Sequence, residues 1–355
     1  MQFNVNFTFT LKSSLDPFEE FLKSYYYTHL DSHLEKPFSP PLPKELIEAI
    51  SKYINNAPSF SRNFNYFSDA LLNLLHKETI VAASHSRYLP AGIHSHSFFE
   101  IIYVLSGTCV NYSGNQAFEL CPGDLVILAP NTSHALSVFA DDCKVINILM
   151  RASIFEETFR EIFVKPSILH DFFTFALYGD KTNMLLLSHT KNDPIIQLAV
   201  LSLLEYRFYV GHSQEQMKIS YMDVLFNRIL TKHKKDTAIL SEQQIDTKQD
   251  HNIALILQYM NQHYQTVTLS ELSTFFGYSE RHMTRILKEH TCNGFQKNIL
   301  HIRMQHVLKL LEDKDYSLED IATLIGYTSM RNFRNSFKQQ FGLSPSEFRK
   351  RIGLQ

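Results

Sequence analysis

Residues 268–279, TLSELSTFFGYS, recur in altered form at residues 317–328, SLEDIATLIGYT. Each copy opens with a hydroxyl residue three positions before an acid, which is the spacing of a capping box at the start of a helix. Each copy then reaches a Gly-Tyr pair, where the glycine can adopt the left-handed conformation that ends a helix. A helix, a short turn with glycine and a second helix make the helix-turn-helix motif, so the repeat predicts two such motifs in tandem.

The second helix of each motif is predicted to read DNA. Its apolar positions predict an inward face, formed by Met283, Ile286 and Leu287 in the first copy and by Phe333, Phe337 and Phe341 in the second. The predicted DNA contacts are the polar residues outside these faces: Ser279, Arg281, His282, Thr284, Arg285 and Lys288, then Thr328, Arg331, Asn332, Arg334, Asn335 and Lys338. Ser279 and Thr328 are also the predicted helix caps.

Arg285 and Arg334 are the preferred candidates for base contacts, because arginine can bind guanine through two hydrogen bonds in the major groove. A single basic helix face is often only a solvated surface, but two capped and basic copies in tandem favour DNA binding. A helix is predicted to connect the motifs, with an apolar stripe at Leu300, Met304, Val307, Leu308 and Leu311. Two reading helices on one side of a duplex must lie about 34 Å apart to enter successive major grooves.

The charge of the whole chain at first argues against nucleic acid, since its 355 residues carry a formal net charge of −2. Residues 252–355, however, hold 13 Lys+Arg and 9 Asp+Glu, a net of +4, which leaves −6 for the remainder. The 44 % apolar and 20 % charged content excludes a disordered chain. The scattered cysteines predict neither a disulfide framework nor a zinc ribbon. No signal peptide or membrane span is recognised, so a soluble cytoplasmic protein is expected.

An earlier region, about residues 77–152, has short apolar runs bounded by Gly or Pro, which predict the strands of a small barrel or sandwich. It contains HSHSFFE, from His94 to Glu100, followed by Gly107. Because side chains alternate along a strand, His94, His96 and Glu100 are expected on one face. The pattern H-x-H-x3-E-x6-G resembles the first cupin motif in full, whereas the second, around His134, is only partial.

Three interpretations of His94, His96, Glu100 and His134 are open. The preferred one makes them polar groups of the fold or of an effector pocket, without a metal, so that no metal or cofactor is expected. The others are a metal-bound sensor and the metal centre of an enzyme, because imidazoles and a carboxylate can bind a divalent ion. Tyr103 lies an odd number of residues from Glu100 and is expected to point away from the pocket.

Helical periodicity follows the predicted strands over residues 153–231. Two amphipathic stripes stand out, which fit either a domain core or a dimer interface. They are Ile196, Val200, Leu203, Leu204 and Phe208, and Met222, Leu225, Phe226 and Ile229. Residues 232–251 are mostly polar and are predicted to form a linker.

The C-terminal residues that run from Arg303-Met304 through Gly326-Tyr327 to Phe341-Gly342-Leu343-Ser344-Pro345 resemble the signature of the AraC/XylS-type bacterial transcriptional regulators. A cupin-like domain ahead of this unit is also similar to that family. The resemblance implies tandem motifs on adjacent major grooves of promoter DNA, usually in an activator that works with RNA polymerase. It further implies a homodimer that responds to a small-molecule effector and is not an enzyme.

The expected fold class is α+β multidomain, with a cupin-like β-barrel, a helical segment and an all-α tandem helix-turn-helix domain. The expected boundaries are 1–75 for a mostly helical extension of unknown role, 76–152 for the barrel sensor, 153–231 for a helical dimerisation or coupling segment, 232–251 for a linker and 252–355 for the DNA-binding domain. Two other functions stay open: a metal-dependent cupin enzyme or metal sensor tethered to DNA, and a constitutive DNA binder whose barrel is only a scaffold.

Overall fold

The computed structural model of the chain describes residues 14–30, 33–37, 42–53, 66–67, 78–152, 155–163, 165–178, 183–206, 212–241, 250–291, 293–311, 313 and 315–351. A β-rich half comes first and a helical half follows. Among these described residues, no helix has the length and apolar character needed to cross a membrane.

The β-rich half is built on two antiparallel sheets. The larger has the strand order β11-β10-β7-β4-β9-β2 and the smaller has the order β6-β5-β8. The larger consists of β2 (Ile80–Ser84), β4 (Phe99–Ser106), β7 (Asp124–Leu128), β9 (Lys144–Met150), β10 (Leu185–His189) and β11 (Thr237–Leu240). The smaller consists of β5 (Cys109–Ser113), β6 (Gln116–Leu120) and β8 (His134–Ser137). A short β3 (Ser95–His96) pairs in parallel with β1 (Tyr66–Phe67).

The alternation along β4 separates two apolar layers. Ile102 and Val104 belong to the layer between the two sheets, together with residues of β5, β6 and β8. Ile101 and Tyr103 lie on the opposite face, in the larger apolar cluster that the helices cover. The prediction that Tyr103 points away from the barrel interior is therefore confirmed.

The larger sheet extends past residue 152, where the barrel was predicted to end. β10 lies in the segment predicted to be helical and pairs with β7, while β11 lies in the predicted linker and pairs with β10. The predictions of an all-helical segment and of a polar linker are wrong at these two strands. Runs of four or five residues are too short to show a period, and their backbone groups gain ladder partners only from strands distant in sequence.

Four helices follow β9 and cover the outer face of the larger sheet: α3 (Phe155–Thr158), α4 (Ile168–Tyr178), α5 (Pro194–Glu205) and α6 (His212–Lys232). Single turns of 3₁₀ helix occur at Arg160–Phe163 and Lys234–Asp236. The described members of both predicted stripes, on α5 and α6, are buried in the cluster that contains Tyr103, whereas Phe208 lies outside the described residues. These stripes are therefore domain core and not a dimer interface.

The N-terminal extension contains α1 (Pro17–Thr28) and α2 (Lys44–Tyr53). Phe18 and Leu22 of α1 pack in a small apolar cluster with Tyr88, which follows β2. Beside them a buried ion pair joins Arg87 to Glu19, with Nη2 of the arginine 2.6 Å from Oε2 of the glutamate. The extension thus packs against the barrel through both apolar and charged contacts.

The helical half consists of α7 (Asp250–Gln262), α8 (Leu269–Phe275), α9 (Glu280–Thr291), α10 (Phe295–Leu311), α11 (Leu318–Leu324), α12 (Met330–Phe341) and α13 (Pro345–Arg351). Both predicted capping boxes are present, at Thr268 with Glu271 and at Ser317 with Asp320. The pairs α8–α9 and α11–α12 are the two helix-turn-helix motifs, and α10 connects them.

The two motifs belong to different cores. Residues of α7, α8 and α9 share one apolar cluster with α4 and the sheet, so the first motif packs against the β-rich half. The second motif has a separate core that includes Phe333 and Phe337. The connecting helix α10 contributes to both, through Ile299 and Ile302 on one side and Met304 on the other.

Candidate DNA-reading surface and sensor pocket

The second helix of the first motif, α9, buries Met283 and Leu287 and turns its basic side chains to solvent. Ser279 caps the helix, since its Oγ accepts a hydrogen bond from the backbone N–H of His282 at 3.2 Å. The remaining predicted contacts Arg281, Thr284, Arg285 and Lys288 are exposed or half-buried. The helical period places them together because the buried positions are three or four residues apart.

Arg285 is held at the surface by its neighbours on α9. Its Nη1 donates to Oε1 of Glu289 at 2.9 Å, and its Nη2 lies 3.1 Å from Nδ1 of His282. A pair of this kind on a helix surface contributes only a few tenths of a kcal/mol. A two-bond contact with guanine contributes about 1–3 kcal/mol of discrimination, so releasing the pair is a minor cost.

The second helix of the second motif, α12, buries Phe333 and Phe337 and exposes the other predicted contacts, Arg331, Asn332, Arg334, Asn335 and Lys338. Its cap is Ser329, whose side chain accepts from the backbone N–H of Asn332, and not Thr328 as predicted. The prediction was wrong because the second copy has one more residue in its turn. Thr328 is exposed immediately before the cap.

The β-rich half brings all four predicted pocket residues together. Nε2 of His96 lies 2.8 Å from Oε2 of Glu100, and Nε2 of His134 lies 3.3 Å from the same oxygen. The rings of His94 and His134 have centroids 4.3 Å apart. The backbones of His94 and His134 form an isolated antiparallel bridge, which holds these two residues beside each other. The continuous strand predicted from residue 94 to residue 100 is interrupted between His96 and Phe99.

The site holds one buried carboxylate among imidazole rings. Burial alone would raise the pKa of Glu100, but hydrogen bonds from His134 and His96 hold that pKa well below its usual range. Burial lowers the pKa of His94 to about 3 and also lowers the pKa of His134. Nδ1 of His96 donates to the carbonyl oxygen of Phe98 at 2.8 Å, and its Nε2 faces Oε2 of Glu100.

Three further polar residues lie in the same interior and were not predicted. His85 follows β2, Asn147 lies on β9 and Asn111 lies on β5. Oδ1 of Asn111 lies 3.4 Å from Nδ1 of His134, and Nδ2 of Asn147 lies 3.4 Å from Nδ1 of His85. Burial lowers the pKa of His85 to about 4. Their strands carry no cupin motif; a polar residue at an inward position of an apolar strand is the signal that could have revealed Asn111 and Asn147.

Several buried polar atoms of this interior have no hydrogen-bond partner within the chain. Among the described residues, these atoms are Nε2 of His85, Nδ2 of Asn111 and Oδ1 of Asn147. Buried polar groups are almost always paired in folded proteins, so such a group of atoms is typical of a site that receives a ligand or water. The mixture of donors and acceptors suits a polar ligand.

The donor set also fits a divalent cation. One ligand atom each from His94, Glu100 and His134 can be chosen so that all lie within 4.8 Å of one another. Imidazole nitrogen and carboxylate oxygen are ligands for several first-row metals. His96, the fourth residue of the sequence pattern, is instead engaged by Phe98 and Glu100.

Comparison with protein families matches each half separately. Residues 81–189 match the AraC-like ligand binding domain, and residues 272–351 match a helix-turn-helix domain family. The first match includes β10, in agreement with the extended sheet, and the second covers both reading helices.

Comparison with individual proteins finds transcriptional regulators. The chain is 25 % identical to the HTH-type transcriptional activator RhaS of Escherichia fergusonii over 266 residues, which cover 74 % of this chain and 90 % of that protein. It is 36 % identical to the HTH-type transcriptional regulator GlxA of Rhizobium meliloti over 77 residues, 22 % of this chain and 24 % of that one. A structure of ToxT from Vibrio cholerae covers 76 % of this chain and 97 % of its own, at 16 % identity and a TM-score of 0.40.

Proposed function

We propose, from the premise that this chain is an AraC/XylS-type transcriptional regulator with an N-terminal cupin-like sensor domain, that α9 and α12 are its reading helices. The observation that carries the proposal is that both helices are capped, bury their apolar faces and present arginine and lysine to solvent. We place the sensor at residues 78–241 and the DNA-binding unit at residues 250–351.

The exposed residues of the two helices divide into two roles. Arg285 and Arg334 are proposed to contact base edges, since each lies in the middle of its helix on the solvent side. The other predicted residues are proposed to bind phosphates and so set the register of the protein on the duplex. With a net charge of only +4 on residues 252–355, placed contacts matter as much as overall attraction.

The polar interior around Glu100 is proposed as the effector site. Coupling to DNA would pass through α4, because α4 shares one core with the sheet, with α7 and with both helices of the first motif. Hydrogen bonds also cross this junction: Nδ2 of Asn261 donates to the hydroxyl of Tyr178 at 3.0 Å, and Oδ1 of Asn261 lies 2.8 Å from Nε2 of His306. An effector that binds one arrangement of this junction more tightly would shift the population toward it.

The outer face of α5 and α6 is proposed as the interface of a homodimer. Ile195 and Leu198 on α5 are 41 % and 40 % exposed, and Met217 and Val224 on α6 are 39 % and 43 % exposed. Ser220, also exposed, lies between the last two. An uncharged face can pair with a copy of itself across a twofold axis without opposing like charges. We propose that the dimer acts in the cytoplasm as an activator, through RNA polymerase, and that it is not an enzyme.

The proposal is tested by selecting binding sites for the purified full chain from randomised duplex DNA, followed by footprinting on the selected sequence. We expect a motif with two boxes about one helical turn apart, and binding that weakens steeply with salt. Failure to enrich any sequence at low salt would contradict the proposal.

A metal sensor is the second candidate, and the short distances among the ligand atoms of His94, Glu100 and His134 favour it. Elemental analysis after metal-replete expression would find about one equivalent of a first-row metal, which His134→Ala should remove. Metal below stoichiometry in the parent protein would contradict this candidate and leave the metal-free effector site in place.

A further inference from the structure

A three-way joint links the two helix-turn-helix motifs at the turn after α7. Arg303, on the connecting helix α10, reaches this turn with two donors. Its Nε donates to the carbonyl oxygen of Tyr264 at 2.8 Å, and its Nη2 donates to the carbonyl oxygen of Gln265 at 3.0 Å. One guanidinium therefore fixes the turn between α7 and α8, the first helix of the first motif, against the connecting helix.

The same turn also contacts the second motif. Nε2 of Gln265 donates to the carbonyl oxygen of Leu324, the last residue of α11, at 2.8 Å. Gly326 follows with φ of +89°, and its backbone approaches so closely that an added Cβ would lie 2.8 Å from the carbonyl oxygen of Gln265. The first motif, the connecting helix and the second motif thus meet within a few ångströms of one residue.

We propose that this joint, formed by Gln265, Arg303 and Gly326, sets the distance and rotation between the two reading helices and so determines which spacing between the two DNA boxes is accepted. The inference rests on the proposed function. The two motifs have separate cores that α10 links by contributing to both, and the joint adds direct hydrogen bonds from the turn after α7 to α10 and to α11. Gln265 and Arg303 are positioning residues, since they act through α9 and α12.

The physical consequence is a penalty for wrongly spaced DNA. One additional base pair moves the second box by about 3.4 Å and rotates it by about one tenth of a turn. The chain must then deform the joint or give up one box. If the Gln265–Leu324 hydrogen bond is already absent, that part of the penalty disappears, although the correctly spaced site is still bound.

The test compares two charge-matched variants of the full chain. In Gln265→Glu, a carboxylate replaces the donor and faces the carbonyl of Leu324. In Gln262→Glu, the same charge is added at an exposed position of α7 three residues earlier. Each protein and the parent are presented with randomised duplex DNA, and affinities are then measured on the selected site and on sites with one base pair added or removed between the boxes.

We expect the parent and Gln262→Glu to share one sharp spacing. In Gln265→Glu the ratio of affinities between correct and altered spacing should fall about fivefold, which corresponds to about 1 kcal/mol for one net hydrogen bond. An unchanged ratio in Gln265→Glu, or an equal loss of affinity at every spacing, would overturn the proposal that the joint sets the accepted spacing. If Gln265→Glu fails to fold, Gln265→Ala, which adds no charge, is measured against the same criterion. Failure of the parent itself to select two boxes would instead refute the proposed function.

Discussion

Two glycines occupy equivalent positions of the repeat, so the effects of replacing each with alanine can be compared directly. Gly277 and Gly326 each follow the first helix of a motif with positive φ, +70° and +89°. A Cβ at Gly277 would meet nothing within 4 Å, whereas a Cβ at Gly326 would lie 2.8 Å from the backbone oxygen of Gln265. Both Gly→Ala changes force alanine into a left-handed conformation. Only the change at Gly326 also brings the new Cβ too close to a backbone oxygen.

The expected magnitudes follow from that difference. A left-handed conformation costs a residue with a Cβ about 1–2 kcal/mol, which is the whole effect expected for Gly277→Ala. At Gly326 a backbone group must move as well, and overpacking of this kind costs about 1–3 kcal/mol more. Gly326→Ala should therefore destabilise its motif by about 2–5 kcal/mol.

Amide hydrogen exchange on the full chain measures both effects locally, because protection reports the free energy of local opening. Since about 1.4 kcal/mol is a factor of ten, α8 and α9 should exchange about five- to thirtyfold faster in Gly277→Ala. The most protected amides of α12 should exchange at least about thirtyfold faster in Gly326→Ala. Equal effects in the two variants would refute the reasoning, since they would mean that Gln265 moves aside freely and that the joint is not rigid.

Three other outcomes are expected. Arg285→Ala and Arg334→Ala should each cost about 1–3 kcal/mol at one base position of the selected site; an equal loss on every sequence would reassign that arginine to phosphate. Burial lowers the pKa of His306 from 6.5 to about 4, so as the pH falls this residue is protonated in the unfolded chain before it is protonated in the folded chain. The free energy of unfolding should then decrease as the pH falls from 6.5 to 4, and His306 should account for about 2 kcal/mol of this decrease at pH 5. In chemical denaturation measured over this pH range, His306→Gln should lack that contribution. Val224→Glu should give monomers in sedimentation, while Gln216→Glu on the same helix should leave the dimer intact. If both variants remain dimeric, the outer face of α5 and α6 is not the dimer interface.

Local patterns were enough to predict the DNA-binding half. Capping boxes, helix-ending glycines and the i, i+4 spacing of Phe333 and Phe337 act over one or two turns of chain, so the residues that form each helix lie next to one another in sequence. The same locality predicted the outward faces of α9 and α12. The prediction that Thr328 caps α12 was wrong, because one added residue in the turn moves the cap to Ser329 without changing the pattern before it.

The sensor half was predicted only where a motif spans it. The H-x-H-x3-E pattern predicted the convergence of His96 and Glu100, and the separate partial motif predicted His134. His85 and Asn147 joined the same interior without any motif, since they come from β2 and β9, which are distant in sequence and adjacent in the sheet. The strands β10 and β11 were hidden for the same reason.

The sequence by itself determined that this protein has two capped helix-turn-helix motifs, exposed basic helix faces and a cupin-like set of histidines with a glutamate, because those features depend on neighbours within a few residues. Only the tertiary structure decided that the first motif shares its core with the sensor and the second does not. It alone brought Gln265 to Leu324, 59 residues further along the chain. A hydrogen bond across that separation depends on how two packed units meet, and no local pattern of side chains encodes it.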